Sequence, residues 1–299
     1  MKKTQQGFSL IELAIVLVIV TILIGGLAVP LSAQIEARRI AETRKIMEEA
    51  REAIIGYAMS HPTTSSTCQC TYTVGDTGTC PVTLSPVTPP ACSSLCPAVG
   101  DIALTLPSCP APNTGSMTLT RPINRHYLPC PDTDGDGTEN RNVNDCSSFS
   151  GTISSGFLPW VDLGVAPQDA WGNRLRYAVV KTLADKTTGF SSSSSLNDPL
   201  VICSTNTCAA VTPDVANNLA VVLVSHGPNG WGAQNVNNPP LTLLASPSGL
   251  DEAANLDADR KYVSRSPTSD AAASGEFDDL VASISFNQLV TRVCPTGCP

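Results

Sequence analysis

Three aspartates alternate with other residues in one short stretch of the chain and suggest a metal site. Asp132, Asp134 and Asp136 stand at every second position, and Gly137 follows directly. In calcium loops of the EF-hand type, alternate carboxylates converge on one ion and a glycine permits the sharp turn between them. The stretch therefore predicts a calcium site, with a solvated Asp/Gly turn as the alternative.

The second half of this loop departs from the calcium pattern. Val143 stands at the twelfth position, where a bidentate glutamate is expected. Other oxygen-bearing residues would have to complete the shell; these are Glu139, Asn140, Asn142 and Asp145. Cys130 and Cys146 flank the loop, and a bridge between them would contribute about 3 kcal/mol in the chain-entropy model. Such a bridge would hold the loop closed.

The cysteines indicate the redox compartment. The chain has 12 of them, and all lie at or beyond Cys68. An even number confined to one side of an apolar segment predicts disulfides in an oxidising compartment. Zinc is the alternative, but the chain has only 3 histidines and no paired CxxC sequences. Beyond residue 125 the disulfide candidates are Cys130, Cys146, Cys203, Cys208, Cys294 and Cys298.

An apolar segment near the N-terminus is long enough to lie in a membrane. Residues 8–29 contain a single charged residue, Glu12, and as a helix they would span about 33 Å, enough for the hydrocarbon core of a bilayer. Lys2 and Lys3 precede the segment, so the positive-inside rule keeps the N-terminus cytoplasmic. A cleaved secretory signal is the alternative, but its apolar region spans only about 7–15 residues.

Residues 30–61 are predicted to continue this helix as an amphipathic half. Pro30 would kink the helix, and His61-Pro62 ends the pattern. Apolar residues recur at spacings of three and four and form one stripe. The stripe consists of Ile35, Ile40, Met47, Ala50, Ile54, Tyr57 and Ala58.

The rest of the chain divides into two parts of different composition. Residues 62–125 are rich in Ser, Thr and Pro and hold six cysteines, which predicts a disulfide-stapled insertion with short strands. Residues 126–299 contain recurrent strand-like runs, among them 175–179 with alternating Arg, and the continuous apolar runs 219–225 and 280–286. Antiparallel strands after one long helix predict an α+β fold.

The residues around Glu12 form one motif. The sequence "KKTQQGFSLIELAIVLVIVTILIGG" resembles the N-terminus of type IV prepilins and type II secretion pseudopilins. The resemblance implies that residues 1–7 are a leader, that prepilin peptidase cuts after Gly7, and that Phe8 becomes the N-methylated first residue. It also implies that Glu12 is an assembly residue, whose carboxylate pairs with the positive N-terminal amine of a neighbouring subunit in a filament.

The C-terminal part extends this resemblance. The stretches "DAWGNRLRY" (169–177), "VSHGPNGWGA" (224–233) and "EFDDLVASIS" (276–285) look like successive parts of major pseudopilins. The resemblance implies a pilin-like fold, in which a long helix packs on an antiparallel sheet with large disulfide-stapled loops. It also implies calcium in the loop before the last strand. The candidates there are Asn255, Asp257 and Asp259, with Asp278 or Asp279.

The resemblance implies a structural subunit rather than an enzyme, polymerised into a type II secretion pseudopilus or a type IV pilus. Its expected partners are other pilin subunits, prepilin peptidase, the inner-membrane assembly machinery and membrane lipid. The expected location is the bacterial inner membrane, crossed once with a periplasmic C-terminal domain, and then a filament in the periplasm or on the cell surface. The alternative function is a pilin-anchored surface adhesin or ligand-binding module that uses the Cys-rich insertion.

Charge and motifs exclude other classes of function. Residues 61–299 hold 11 of the 18 basic and 20 of the 26 acidic residues, a net charge of −9, so we expect no binding to nucleic acid. No sequence pattern typical of a hydrolase, a nucleotide-binding loop or a dinucleotide-binding fold lies in the required context.

Overall fold

A computed structural model describes residues 9–63, 66–74, 82–88, 114–121, 125–147, 151–238, 242–295 and 297–298. For residues 23–31 and for the strands between residues 66 and 121, the description covers the backbone alone. Gly7 and Phe8, and with them the predicted leader, lie outside the described residues. So do most of the insertion's cysteines.

The first element is one long helix, α1, which runs from Leu10 to Ser60 over 51 residues. This single helix agrees with the prediction from residue pattern. Within its second half, Met47, Ala50 and Ile54 are at most 2% exposed, whereas Ile35 is 46% exposed. The apolar stripe is therefore buried only from about residue 43 onward, and its predicted first member lies on the surface.

The described residues hold no helix that is both long and apolar enough to cross a membrane. The membrane-spanning role of residues 8–29 stays a prediction.

The remaining elements are short strands and helices joined by long loops. The strands are β1 Ser66–Val74, β2 Val82–Thr88, β3 Thr114–Arg121, β4 Arg141–Asn142, β5 Asp145–Cys146, β6 Ile153–Phe157, β7 Arg176–Val180, β8 Leu200–Cys203, β9 Ala216–Ser225, β10 Lys261–Val263 and β11 Leu280–Ser285. The helices are α2 Trp160–Leu163, α3 Lys181–Ala184, α4 Leu250–Ala253 and α5 Phe286–Val293.

The main sheet has the strand order β10-β8-β9-β7-β6, and β11 pairs with β9 next to the end of β8. Most neighbours are antiparallel, but β10 runs parallel to β8. The predicted α+β class is confirmed, while the sheet is mixed rather than purely antiparallel. A parallel neighbour is possible here because the long loop after β9 crosses back before β10 begins.

The centre of the sheet is apolar on both faces. The residues of β9 from Leu219 to Ser225 are all buried, as their continuous apolar run predicts. In β7, Ala178 and Val180 are buried as well as Tyr177 and Val179. The half-buried strand predicted from the alternating Arg residues holds at the start of β7, where Arg176 is partly exposed, and is wrong from Tyr177 onward, where residues on both faces of the sheet are buried.

The insertion forms a separate three-stranded antiparallel sheet with the order β2-β1-β3. Outside it, three disulfides staple the described part of the chain: Cys130–Cys146, Cys203–Cys208 and Cys294–Cys298. The predicted disulfides are confirmed for these six cysteines. Each closes a short loop, so each constrains mainly its own segment.

A buried carboxylate connects α1, the turn before β7 and the end of β9. Asp169 is 3% exposed, and it accepts hydrogen bonds from the backbone N–H groups of Trp171 and Asn173, both at 2.9 Å, and from Ser225 Oγ at 2.7 Å. The next residue in the turn donates its N–H to Thr43 Oγ1 of α1 at 3.2 Å. Burial raises the pKa of Asp169, and these hydrogen bonds oppose that rise.

We expect Asp169→Ala to lower the free energy of unfolding by about 3 kcal/mol or more, because it leaves several buried donors without an acceptor. Ser225→Ala should cost only about 1 kcal/mol, since the carboxylate keeps its two backbone donors. Urea denaturation of the full chain in detergent measures both values. Equal losses in the two variants would contradict the central role of the carboxylate.

Candidate functional site

The start of α1 combines an acid with an uncovered apolar surface. The Glu12 carboxylate accepts a hydrogen bond from the backbone N–H of Ser9 at 2.9 Å, which satisfies one of the free donors at the helix start. Among the described residues, no cation pairs with Glu12. The charge is therefore partly stabilised by the helix start but not neutralised.

The apolar residues that follow are exposed around the whole helix. Between Leu10 and Ile22, the exposed fractions of the large apolar side chains range from 41% to 85%. An apolar surface of this extent requires a cover of lipid or protein. No other described residue provides that cover, so residues 10–22 of α1 form an interaction element.

The loop that holds Asp132, Asp134 and Asp136, here called the aspartate loop, encloses the carboxylate of Asp132. Asp132 is fully buried, and its two oxygens accept the backbone N–H groups of Asp134 at 3.1 Å, Gly135 at 2.7 Å and Gly137 at 2.9 Å. Gly137 has a φ of 92°, and a Cβ there would clash with the Trp160 ring. Sequence spacing therefore identifies a real turn, whose glycine is required by a close approach as well as by conformation.

The carboxylates of Asp132, Asp134 and Asp136 come within 4.8 Å of one another. Burial raises the pKa of Asp132 despite the N–H groups that stabilise its charge. Because these N–H groups already occupy both oxygens of Asp132, an ion here would rely mainly on the two exposed aspartates. Calcium at this loop stays a prediction.

Two of the further ligands suggested for this loop, Asp145 and Glu139, are engaged in ion pairs. Asp145 pairs with Lys181 Nζ at 2.8 Å, and Glu139 pairs with Arg141 Nε at 2.7 Å. Arg141 also donates to the backbone oxygens of Leu128 and Ala184. The Arg141 guanidinium lowers the pKa of Glu139 against the opposing effect of burial. Sequence reasoning missed this ion pair, which ties the disulfide-closed loop to the core.

A second acidic cluster lies where the chain enters β11. The carboxylates of Glu252, Asp278 and Asp279 come within 4.8 Å of one another, and Glu252 and Asp279 are 1% and 5% exposed. Asp279 accepts a hydrogen bond from Asn255 Nδ2 at 2.8 Å and lies 3.2 Å from His226 Nδ1. The resemblance implies Asp278 or Asp279 as a ligand, but the sequence gives no signal for Glu252, because this residue reaches the cluster across a long loop.

Asp278 is the least compensated member of this cluster. Its Oδ2 accepts the Asn229 N–H at 3.1 Å, while its Oδ1 is buried and has no hydrogen-bond partner within the described residues. Burial, followed by the charges of Glu252 and Asp279, raises the pKa of Asp278 to about 7. Three acids therefore lie close together, and no cation among the described residues pairs with Asp278 Oδ1.

Asp257 and Asp259 form a separate pair. The Asp259 N–H donates to Asp257 Oδ1 at 3.4 Å, and burial together with the charge of Asp259 raises the pKa of Asp257 to about 6. The Arg176 guanidinium, bonded to the Leu256 carbonyl at 2.6 Å, lies near Asp257. The structure therefore groups Asp279 with Glu252 and Asp278, apart from Asp257 and Asp259.

The raised pKa of Asp278 gives a pH-dependent stability. Its folded pKa of about 7 exceeds its unfolded value, so the folded state holds the proton more tightly. The contribution of Asp278 to the free energy of unfolding is therefore fully present below about pH 4, near its unfolded pKa, and is lost as pH rises to about 7. In Asp278→Asn, the urea midpoint in EDTA should fall less between about pH 4 and pH 7, and the difference from the unsubstituted chain should be clearest between about pH 6 and pH 7.

Asp257→Asn is the matched control, because the pKa of Asp257 is raised only to about 6. It should reduce the fall in the urea midpoint below about pH 6 and leave the fall between about pH 6 and pH 7 in place. If Asp278→Asn and the unsubstituted chain lose stability in parallel between these pH values, the assignment to Asp278 is wrong.

Comparison with known proteins bears on the N-terminus alone. No curated protein and no solved structure matches this chain. The family model of the prokaryotic N-terminal methylation motif matches residues 2–28, the stretch that contains Gly7, Phe8 and Glu12. The resemblance to prepilins at this end is thereby confirmed: the chain carries the type IV prepilin-like signal motif.

Proposed function

We propose that the chain is a pilin-like structural subunit, cut after Gly7 by prepilin peptidase and polymerised through α1 into a type II secretion pseudopilus or a type IV pilus. The observation that carries this proposal is the methylation motif at residues 2–28, which overlaps the start of α1, where the large apolar side chains of residues 10–22 are uncovered. A soluble enzyme or a simple soluble binding module would not need a processing motif next to an exposed apolar helix.

The uncovered half of α1 has two successive environments in this proposal. Before assembly it lies in the inner membrane, with the N-terminus cytoplasmic and the C-terminal domain periplasmic. After extraction by the assembly machinery, the same surface packs against the α1 helices of other subunits. Covering a large aliphatic side chain contributes roughly 1.5–3 kcal/mol relative to water, so both covers are strongly favoured over exposure.

Glu12 sets the register of assembly. Cleavage after Gly7 creates a positive amine at Phe8, four residues before the acid. Within one chain, the start of α1 already uses Glu12 to accept the Ser9 N–H. The remaining negative charge is costly in apolar surroundings, and the amine of a neighbouring subunit neutralises it. Only one axial offset between neighbours brings the two charges together.

Glu12→Gln separates this charge from the local hydrogen bond, since an amide oxygen still accepts the Ser9 N–H. We expect Glu12→Gln and Glu12→Ala to be membrane-inserted and cleaved normally, but to enter filaments at least about tenfold less, which corresponds to 1.4 kcal/mol or more. Mass spectrometry of the N-terminus measures cleavage, and immunoblotting of sheared filaments measures incorporation.

Glu42→Gln is the control, because it removes an exposed acid from the same helix outside the apolar half. It should assemble normally. Normal assembly of Glu12→Gln would show that the charge of Glu12 is dispensable and that only its helix-capping hydrogen bond matters.

We also propose that the cluster of Glu252, Asp278 and Asp279 binds calcium in the filament subunit. The specific observation is the buried Oδ1 of Asp278, which lacks a hydrogen-bond partner in the described residues and lies among like charges. Carboxylate oxygens are the ligands that calcium prefers, and a divalent cation would remove the repulsion among the three acids. Asp257 and Asp259 are less suited, because no third carboxylate among the described residues joins them and the charge of Lys261 acts on Asp257.

Calorimetric titration of the full chain in detergent tests this site. Calcium should release heat and raise the melting temperature at pH 7.5, and the effect should be smaller at pH 5.5, where protons compete for the carboxylates. Asp278→Asn should remove the response, while Asp257→Asn should keep it. A response that disappears instead in Asp134→Asn/Asp136→Asn would place the ion in the aspartate loop, and no response at all would remove both sites.

A further inference from the structure

The chain leaves β8 through a short loop that is closed by a disulfide. Cys203 and Cys208 are bonded to each other, and we call residues 203–208 the disulfide loop. Cys203 is buried and Cys208 is partly exposed, whereas the cysteines of the other two described disulfides are at most 8% exposed. Among the described bridges, Cys203–Cys208 is therefore the most accessible to an attacking thiol.

The disulfide loop is hydrogen-bonded to a buried carboxylate. The N–H of Asn206 donates to Asp251 Oδ1 at 2.7 Å, and Lys261 Nζ donates to the backbone oxygen of Asn206 at 2.6 Å. Asp251 is 5% exposed, and its second oxygen accepts Arg265 Nε at 2.7 Å. A buried carboxylate is destabilised when it loses a donor, so the positions of the disulfide loop and of Asp251 depend on each other.

Asp251 is connected by sequence to one side of the acidic cluster of Glu252, Asp278 and Asp279. It directly precedes Glu252, and both residues belong to the short helix α4. Glu252 is 1% exposed, and its carboxylate accepts the Asp278 N–H at 2.9 Å and Asn229 Nδ2 at 3.2 Å. A shift of Asp251 would therefore move Glu252 and the hydrogen bonds that it accepts.

Asp251 is connected by contacts to the other side of the cluster. Its partner Arg265 donates Nη1 to Thr268 Oγ1 at 2.7 Å. The guanidinium carbon of Arg265 also lies 4.6 Å from the centre of the Phe277 ring. Thr268 and Phe277 exchange backbone hydrogen bonds of 2.8 and 3.0 Å, and Phe277 directly precedes Asp278. Asp251 therefore holds both chain segments that bring the acids together.

The acidic cluster depends on this framework, because its members repel one another. The carboxylates of Glu252, Asp278 and Asp279 nevertheless come within 4.8 Å of one another. Ligands that are held in place before an ion arrives bind it more tightly, since binding then carries no cost of ordering them. Opening of the disulfide loop would withdraw the Asn206 N–H from Asp251 and would allow the two segments to move apart.

We propose that the Cys203–Cys208 disulfide controls cation binding at the acidic cluster, which takes up calcium tightly only after this bridge has formed. The proposal rests on the calcium site proposed above and adds the control of its affinity. Formation of the bridge removes two protons and two electrons from the two thiols, and the disulfide of an exchange partner accepts them and becomes two thiols. The subunit would thus acquire its ion only in a compartment that oxidises thiols.

Calorimetric titration of the full chain in detergent with calcium chloride tests this control. We expect Cys203→Ser/Cys208→Ser to bind calcium at least about tenfold more weakly than the unsubstituted chain. Cys294→Ser/Cys298→Ser is the matched control, because it removes a disulfide that closes a similarly short loop at the chain end. It should bind calcium within about threefold of the unsubstituted chain.

The titration separates failure of this proposal from failure of the calcium site. A calcium response that Asp278→Asn removes but Cys203→Ser/Cys208→Ser retains at full affinity overturns the control by the disulfide and leaves the site in place. Absence of any response in the unsubstituted chain contradicts the site, and the control of its affinity with it.

Hydrogen exchange in EDTA measures the framework without the ion. In Cys203→Ser/Cys208→Ser, the amides of residues 249–256 and 274–279 should exchange faster, while those of β9 keep their protection because the centre of the sheet is intact. Unchanged exchange in these two segments overturns the proposal. Equal loss of protection in β9 also overturns it, since the effect would then be general unfolding.

Arg265→Gln tests the connection through an effect whose sign differs from that of charge alone. Arg265 lines the same cavity as Asp279, so removal of its positive charge should by electrostatics strengthen calcium binding. If Arg265 positions the acids, binding should instead weaken at least about fivefold. Adding Cys203→Ser/Cys208→Ser to this variant should then cause less than the sum of the two losses. Stronger binding by Arg265→Gln, or full additivity, overturns the proposal.

Discussion

One continuous helix has to leave its first half uncovered and bury its second half, and the fold is arranged around that constraint. From Met47 onward α1 supplies buried residues to the core, and α5 packs beside it with Arg292 Nη2 2.7 Å from Glu52 Oε2. The second half of α1 covers one face of the sheet, and the sheet in turn buries the apolar stripe of α1. The N-terminal half remains free to choose lipid or other helices because nothing in the described domain folds back over it.

Two acidic residues in the interior, Asp169 and Asp278, differ in how well their carboxylates are hydrogen-bonded. Asp169 is buried among donors that satisfy it, so its acid acts as a joint between elements. Asp278 is half-buried among acids, and its buried Oδ1 has no hydrogen-bond partner in the described residues. The same residue type therefore builds the fold at one position and marks a candidate ion site at the other, and the surrounding hydrogen bonds make the difference.

Local patterns predicted local features well. The spacing of three and four located α1, the continuous apolar run located β9, and the alternating aspartates located a tight turn that the structure closes around Asp132. Gly7, Phe8 and Glu12 gave the motif that the family model matches. In each case the information lies within a few residues of sequence.

Contacts between distant segments were missed because no local pattern encodes them. The parallel pairing of β10 with β8, the cover on the second face of β7, and the approach of Glu252 to Asp278 all depend on how long loops return to the sheet. The same holds for Arg141, which donates to the backbone oxygens of Leu128 and Ala184 in two other segments. Residue type alone also did not show that Asp279 and Asp257 belong to two different acidic groups.

The continuity of α1 has a mechanical consequence. Its 51 residues would span about 77 Å as a helix, in which backbone hydrogen bonds link successive turns except where Pro30 has no N–H to donate. A pull on the end near Leu10 would travel along this helix to Thr43, where it reaches the Asp169 turn, and to Glu52, where it reaches α5. The load is then divided between the centre of the sheet and the chain end closed by Cys294–Cys298, so that neither has to bear it alone.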